Sequence, residues 1–176
     1  MPSWTYRSGL LVSAGLLVLA ACRDVETTSS TAPDLSARRA PDAGAQLAAC
    51  ETSESSSSSA TIGPNGGVLS AGPVIVAVPP SAVRTPTRFT VQPLAGSTLR
   101  VRITARGRER FGFARPIAVM IGYAHCSRQE FRGILSVWHV DDVTNAPLEQ
   151  MPSVHDRQNS TVGFLTGHLS TYAVAH

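Results

Sequence analysis

Leu99-Arg100-Val101-Arg102-Ile103-Thr104 alternates apolar and polar side chains without a break. Successive side chains of an extended chain point to opposite faces, so Leu99, Val101 and Ile103 share one face and the arginines the other. Such a segment is a strand with one face in a core and one in water. Segments of the same kind recur on both sides of it. Residues 74–78, Val-Ile-Val-Ala-Val, form a β-branched run stopped by Pro79-Pro80, and that proline pair predicts an edge strand ending there. Residues 88–91 predict another short strand and residues 107–112 a turn. Residues 116–124 are nearly all apolar, as expected of a strand buried on both faces. Residues 134–140, 148–151, 161–165 and 170–175 complete the set, with an Asp- and Asn-rich turn at 141–145. On the last strand Tyr172 and Val174 alternate inward, and a buried Tyr172 ring needs a partner for its hydroxyl. Eight short strands parted by turn signals, with no helical period among them, predict an all-β fold, an antiparallel β-sandwich over residues 61–176.

What precedes the strands has a different character. Residues 23–60 are dominated by Ser, Thr, Ala, Pro and Asp and end in the serine run 55–59. So few large apolar side chains cannot offset the entropy lost on ordering. Residues 22–60 are therefore expected to form a disordered, Ser-rich linker, with at most one helical turn at 43–50. Residues 1–21 carry Arg7 and an apolar run from 10 to 21, the layout of a cleaved signal helix. The run is shorter than the roughly 20 residues a membrane span needs. It closes on Leu19-Ala20-Ala21-Cys22, which resembles the lipobox of bacterial lipoproteins. The resemblance implies that Cys22 receives a diacylglyceryl thioether, becomes the mature first residue and is acylated on its amine, typically with palmitate. Two or more acyl chains give stable anchoring, at ~0.8 kcal/mol for each buried methylene. Arg23, rather than an aspartate, follows the cysteine. By the lipoprotein sorting rule this implies the outer membrane, facing the periplasm or the surface, where the cell has one. An ordinary signal peptide with a chance cysteine is the plainer alternative.

A second resemblance covers the two ends of the strand region. Ile62-Gly63-Pro64-Asn65-Gly66-Gly67-Val68-Leu69, then Val74 to Val78 and Pro79-Pro80-Ser81-Ala82-Val83, is similar to the opening of the β-sandwich domain of zonula-occludens proteins, netrin receptors and ankyrins. The ending His168-Leu169-Ser170-Thr171-Tyr172-Ala173-Val174 is similar to the tail of its bacterial relatives. Ser81 stands where the family usually has Gly, and Leu169 where it usually has Phe. Independently of the family, Gly66 and Gly67 suit a tight turn with positive φ.

Within that tail His168, Leu169 and Ser170 are the candidate catalytic residues. Some relatives of this domain cut themselves between the last two residues of such a triplet. His168 would take the Ser170 hydroxyl proton as general base, and the serine oxygen would attack the Leu169 carbonyl through a strained turn that Gly167 would permit. The bland alternative is packing, with His168 hydrogen-bonded where the strand begins. Arg100, Arg102, Arg106, Arg108, Arg110 and Arg115 form the candidate binding residues. Clustered on one face they would hold phosphates or acidic glycans through bidentate contacts; dispersed, they are a solvated outer face that discourages strand-to-strand aggregation.

His125, His139, His155, His168 and His176, with Cys126, show no tight two-ligand spacing, so no metal site is expected. Asp141, Asp142 and Asn145 lack the ligand spacing and central glycine of a calcium loop. Cys50 and Cys126 are left either as two free thiols or as one bridge, since an exported chain permits a disulfide. All fifteen basic residues are arginine and the net charge is +3, too mild to require a nucleic-acid partner. No nucleophile elbow, phosphate loop or carboxylate pair stands out. The sequence therefore predicts a non-enzymatic lipoprotein of the cell envelope, held in the membrane through Cys22 and needing no cofactor. Its β-sandwich would serve protein interaction or adhesion, its partner an envelope protein or an acidic polymer.

Overall fold

The computed structural model describes residues 45–52, 56–106, 111–127, 131 and 133–176. All thirteen elements among the described residues are β-strands, and every pairing between them is antiparallel. Numbered in chain order, the six-stranded sheet runs β10 (Pro147–Met151), β9 (Ser136–Val140), β13 (Thr171–Ala175), β7 (Arg100–Ala105), β5 (Thr87–Leu94), β2 (Ser58–Ile62). The five-stranded sheet runs β11 (Ser153–Asp156), β12 (Thr161–His168), β8 (Gly112–Gly122), β4 (Val74–Val78), β3 (Gly67–Ala71). β1 (Ala49–Thr52) pairs with β6 (Gly96–Thr98) in a small sheet of its own. The two large sheets pack face to face as a β-sandwich.

The core follows from alternation. Val101 and Ile103 on β7 and Tyr172 and Val174 on β13 point inward and are fully buried, with Tyr172 directly opposite Val101. From the other sheet Ile117, Val119 and Ile121 on β8 meet them, each with no exposed surface. At one edge Phe89, Phe111 and Phe113 form a ring cluster with centroids 5.1–5.6 Å apart, close enough to add to their burial.

Three sequence expectations need correction. First, β4 is not an edge strand: it lies between β8 and β3, and its pairing stops at Val78. Pro79-Pro80 ends the strand without placing it at a border, because a proline after the last ladder bond removes no donor the sheet needs. Second, β8 is not buried on both faces. Met120 is 43% exposed, because the sandwich has two layers and nothing among the described residues forms a third. Third, the ordered chain begins before residue 61. Residues 58–62 form β2 and pair with β5 from Ser58↔Val91 to Ile62↔Thr87. Residues 45–52 form an arm, strand rather than helical turn, with Ala48 and Cys50 buried. A Ser-rich segment fits an edge strand because its backbone bonds are supplied by the neighbour and its side chains remain in water. The rest of the expected linker lies outside the described residues.

The arm is held three ways. Ala48 N–H donates to Val174 O (2.8 Å), while Gln46 and His176 exchange backbone bonds at 3.3 and 3.0 Å. β1 then pairs with β6, and Leu99 N–H donates to Ala48 O. Finally Cys50 is bonded to Cys126, across 76 residues of sequence, with the Cα atoms 5.1 Å apart. Of the two states left open for the cysteines, the bridge is the one present.

Gly66 takes φ 77°, and a Cβ there would meet Val78 O at 2.4 Å, so this turn admits glycine alone. Ser81 also sits in the left-handed region, at φ 65°, with its N–H donating to Pro64 O at 2.7 Å. A side chain at that φ is strained, and glycine would adopt it without that cost.

Candidate functional site

At one end of the sandwich the last two strands meet. β12 ends at His168, Leu169 and Ser170 are buried, and β13 starts at Thr171. The Tyr172 hydroxyl donates to His168 O at 2.7 Å and lies 2.9 Å from Thr166 Oγ1, which itself donates to His168 O at 2.9 Å. Burial pushes the Tyr172 phenol up to about 12, so it stays a proton donor at any physiological pH. This small network ties the β12–β13 connection to the core.

The triplet chemistry finds no support in that arrangement. The His168 ring makes no hydrogen bond to Ser170; it stands edge-on to the His139 ring, with centroids 5.5 Å apart. Neither Gly167, His168 nor Ser170 takes a positive φ. The Ser170 carbonyl accepts from Ile103 N–H at 3.1 Å, as in an ordinary ladder. His168 lines a cleft of about 690 Å³ together with His139, Asp141, Asp142, Leu148 and the Leu169 and Ser170 of its own triplet. Burial and the adjacent His168 hold the His139 imidazole below its ordinary range, against an upward pull from Glu149, Asp142 and Asp141. The Asp141 carboxylate is held low by bonds from the backbone and hydroxyl of Thr144 and from Val143 N–H, the hairpin turn its composition suggested.

The described candidate arginines divide between the two sheets. Arg100 and Arg102 stand on the outer face of β7, where Arg100 donates to Asn145 Oδ1 and Arg102 to Thr171 Oγ1 (3.3 Å) and Asp142 Oδ1 (3.4 Å). Arg106 occupies a left-handed position, φ 51°, just past β7. Arg115 lies on β8 in the opposite sheet and donates to Pro80 O at 3.3 Å. Arg108, Arg110 and the lipidation candidate Cys22 lie outside the described residues.

Two features had no reading in the sequence. His155 on β11 accepts from Leu135 N–H through Nδ1 (3.2 Å), which leaves Nε2 protonated in the neutral ring and donating to the Tyr123 hydroxyl at 2.7 Å. It joins the two sheets at the end where Cys126 closes the bridge, with Phe131 stacked on Tyr123. Burial, then the charge of Arg157, lowers the His155 pKa.

The second is the outer face of the five-stranded sheet. Two rows of side chains cross it from strand to strand. One is Val68, Ala77, Ala118 and Leu165; the other is Ser70, Ile75, Met120, Gly163 and Val154. Neither row contains a charge. Val68, Leu165 and Val154 are 67%, 60% and 74% exposed. The next row brings Gly122, Thr161 and Asp156, so the apolar area has a polar rim on that side. Period-2 alternation on each strand was visible in the sequence only in part, because both faces are apolar.

Fold and surface together define an all-β sandwich domain with an apolar outer face that none of the described residues covers. A comparison with protein-family models matches none to this chain, and a comparison with curated proteins finds no match either.

Proposed function

We propose that the chain is a non-enzymatic lipoprotein of the cell envelope, anchored in a membrane through acylated Cys22, whose sandwich serves protein interaction or adhesion. The observation that carries the interaction reading is the pair of uncharged rows that cross the outer face of the sheet β11-β12-β8-β4-β3. Neighbouring exposed apolar side chains with a polar rim are the usual mark of a surface that another one covers. The described arginines favour this over an anionic ligand, since Arg100, Arg102 and Arg115 are each bonded within the chain.

The test is crosslinking in intact cells with the full chain and with a Val68→Glu/Leu165→Glu variant. A protein crosslinked to the first and lost from the second supports the reading. Equal capture by both refutes the face, and crosslinking to lipid alone refutes a protein partner. The anchor is tested separately: a Cys22→Ala chain that still partitions with membranes into detergent removes the lipoprotein reading.

A further inference from the structure

We infer that His139, Glu149 and His168 form a binding site for a divalent first-row transition-metal ion of the zinc type. The three residues come from β9, β10 and β12, and so from both large sheets. One ring nitrogen of each histidine and one Glu149 carboxylate oxygen lie within 4.8 Å of one another. Zinc with bonds near 2.05 Å holds tetrahedral donors roughly 3.3 Å apart. Glu149 is exposed, so its side chain is free to turn towards the two rings.

The backbone already fixes the geometry. His139 and Glu149 are Cα partners across β9 and β10, so sheet register sets that pair. His168 stands at the end of β12, with its carbonyl held by the Tyr172 and Thr166 hydroxyls. The two imidazoles meet edge-on at 5.5 Å and 71°. Among the described residues none of the three side chains has a hydrogen-bond partner, so a cation displaces no existing bond. Asp141 and Asp142 line the cleft that His139 and His168 share and add negative potential, although Asp142 is also paired with Arg102.

The donor chemistry selects the ion. Two imidazoles and one carboxylate favour zinc and its neighbours over magnesium or calcium, which prefer all-oxygen sets. Three protein ligands leave the fourth position to water from the cleft. The ion binds across the two sheets and occupies the His168 lone pair that self-cleavage needs as a base. The sequence expectation of no metal site rested on local spacing, whereas these ligands are 10, 19 and 29 positions apart along the chain. A second group, Cys50, His125 and Cys126, is close in space, but its sulfurs are bonded to each other and supply no thiolate.

The experiment is calorimetric titration of the chelator-treated full chain with Zn²⁺, followed by Co²⁺ for its visible absorption bands. One ion per chain is expected, with a raised melting temperature. Glu149→Gln, an exposed and nearly isosteric change, should weaken binding about tenfold or more, and His168→Gln should do the same. His125→Gln should leave it unchanged. The absence of stoichiometric binding overturns the site. So does binding that Glu149→Gln and His168→Gln leave intact, or equal affinity for Ca²⁺.

Discussion

The two large sheets share a core but treat their outer faces in opposite ways. On the six-stranded sheet the outward positions of β2, β5 and β7 are Ser, Thr, Gln and Arg apart from Leu94 at the end of β5, and the arginines of β7 are bonded to the 141–145 turn and Thr171. Its apolar outward patch, Trp138, Val140, Ala173 and Ala175, is buried beneath Ala45 and Leu47 of the arm. The five-stranded sheet is apolar across its width and has no such cover among the described residues. The pinned arm thus closes one apolar patch, while the other has no cover among the described residues.

The strongest way to break the contrast is to release the arm. Replacing both Cys50 and Cys126 by Ser removes a cross-link spanning 76 residues, worth about 4 kcal/mol by the chain-entropy account. Denaturant melting of the double variant should show a loss of that order; a loss under about 1 kcal/mol would mean that the arm is held without the bridge. A smaller effect is expected from Leu47→Ser, which removes a half-buried side chain from the Trp138 patch and should cost about 1 kcal/mol by burial area.

Acid should loosen the end where the sheets are joined by His155. Its folded pKa lies below the ordinary value of 6.5, so the unfolded chain binds the proton more readily. The stability it contributes is whole above pH 6.5 and lost as pH falls from there through the lowered folded value, when protonation at Nδ1 removes the acceptor for Leu135 N–H. Melting temperatures measured down from pH 7.5 should fall more steeply in the parent than in His155→Gln; parallel curves would remove His155 as the cause. Asp141 and Asp156, both held low by hydrogen bonds, act only at more acid pH.

The smallest stability change belongs to the apolar outer face of the five-stranded sheet. Val68→Glu and Leu165→Glu are each expected within about 0.5 kcal/mol of the parent, because both side chains already stand in water. A marked destabilisation by either would show that the face is part of the fold's own packing.

Much of the sandwich was legible because half-buried strands write their burial into period-2 alternation. β7 and β13 were read with their inward residues correct, and the partner that Tyr172 needed is the His168 carbonyl. β1, β2, β3, β6 and β11 were not read. They are short, and several are polar, so their order depends on neighbours far along the chain rather than on their own composition. β8 misled for a related reason: an apolar strand is expected to be covered on both faces, yet cover depends on how many layers the fold has. The histidines were set aside on local spacing, which carries no information about residues that strand register brings together.

The sequence by itself determined the strand class, the turns at Gly66 and Asp141, and the inward face of the central strands. Those follow from local sterics and alternation. Tertiary structure alone decided that Ser-rich residues 58–60 join a sheet, that Cys50 reaches Cys126, that His139, Glu149 and His168 face one another, and that an apolar sheet face has no cover among the described residues. Each of these depends on which distant segments become neighbours, and that is fixed by closing the whole core at once.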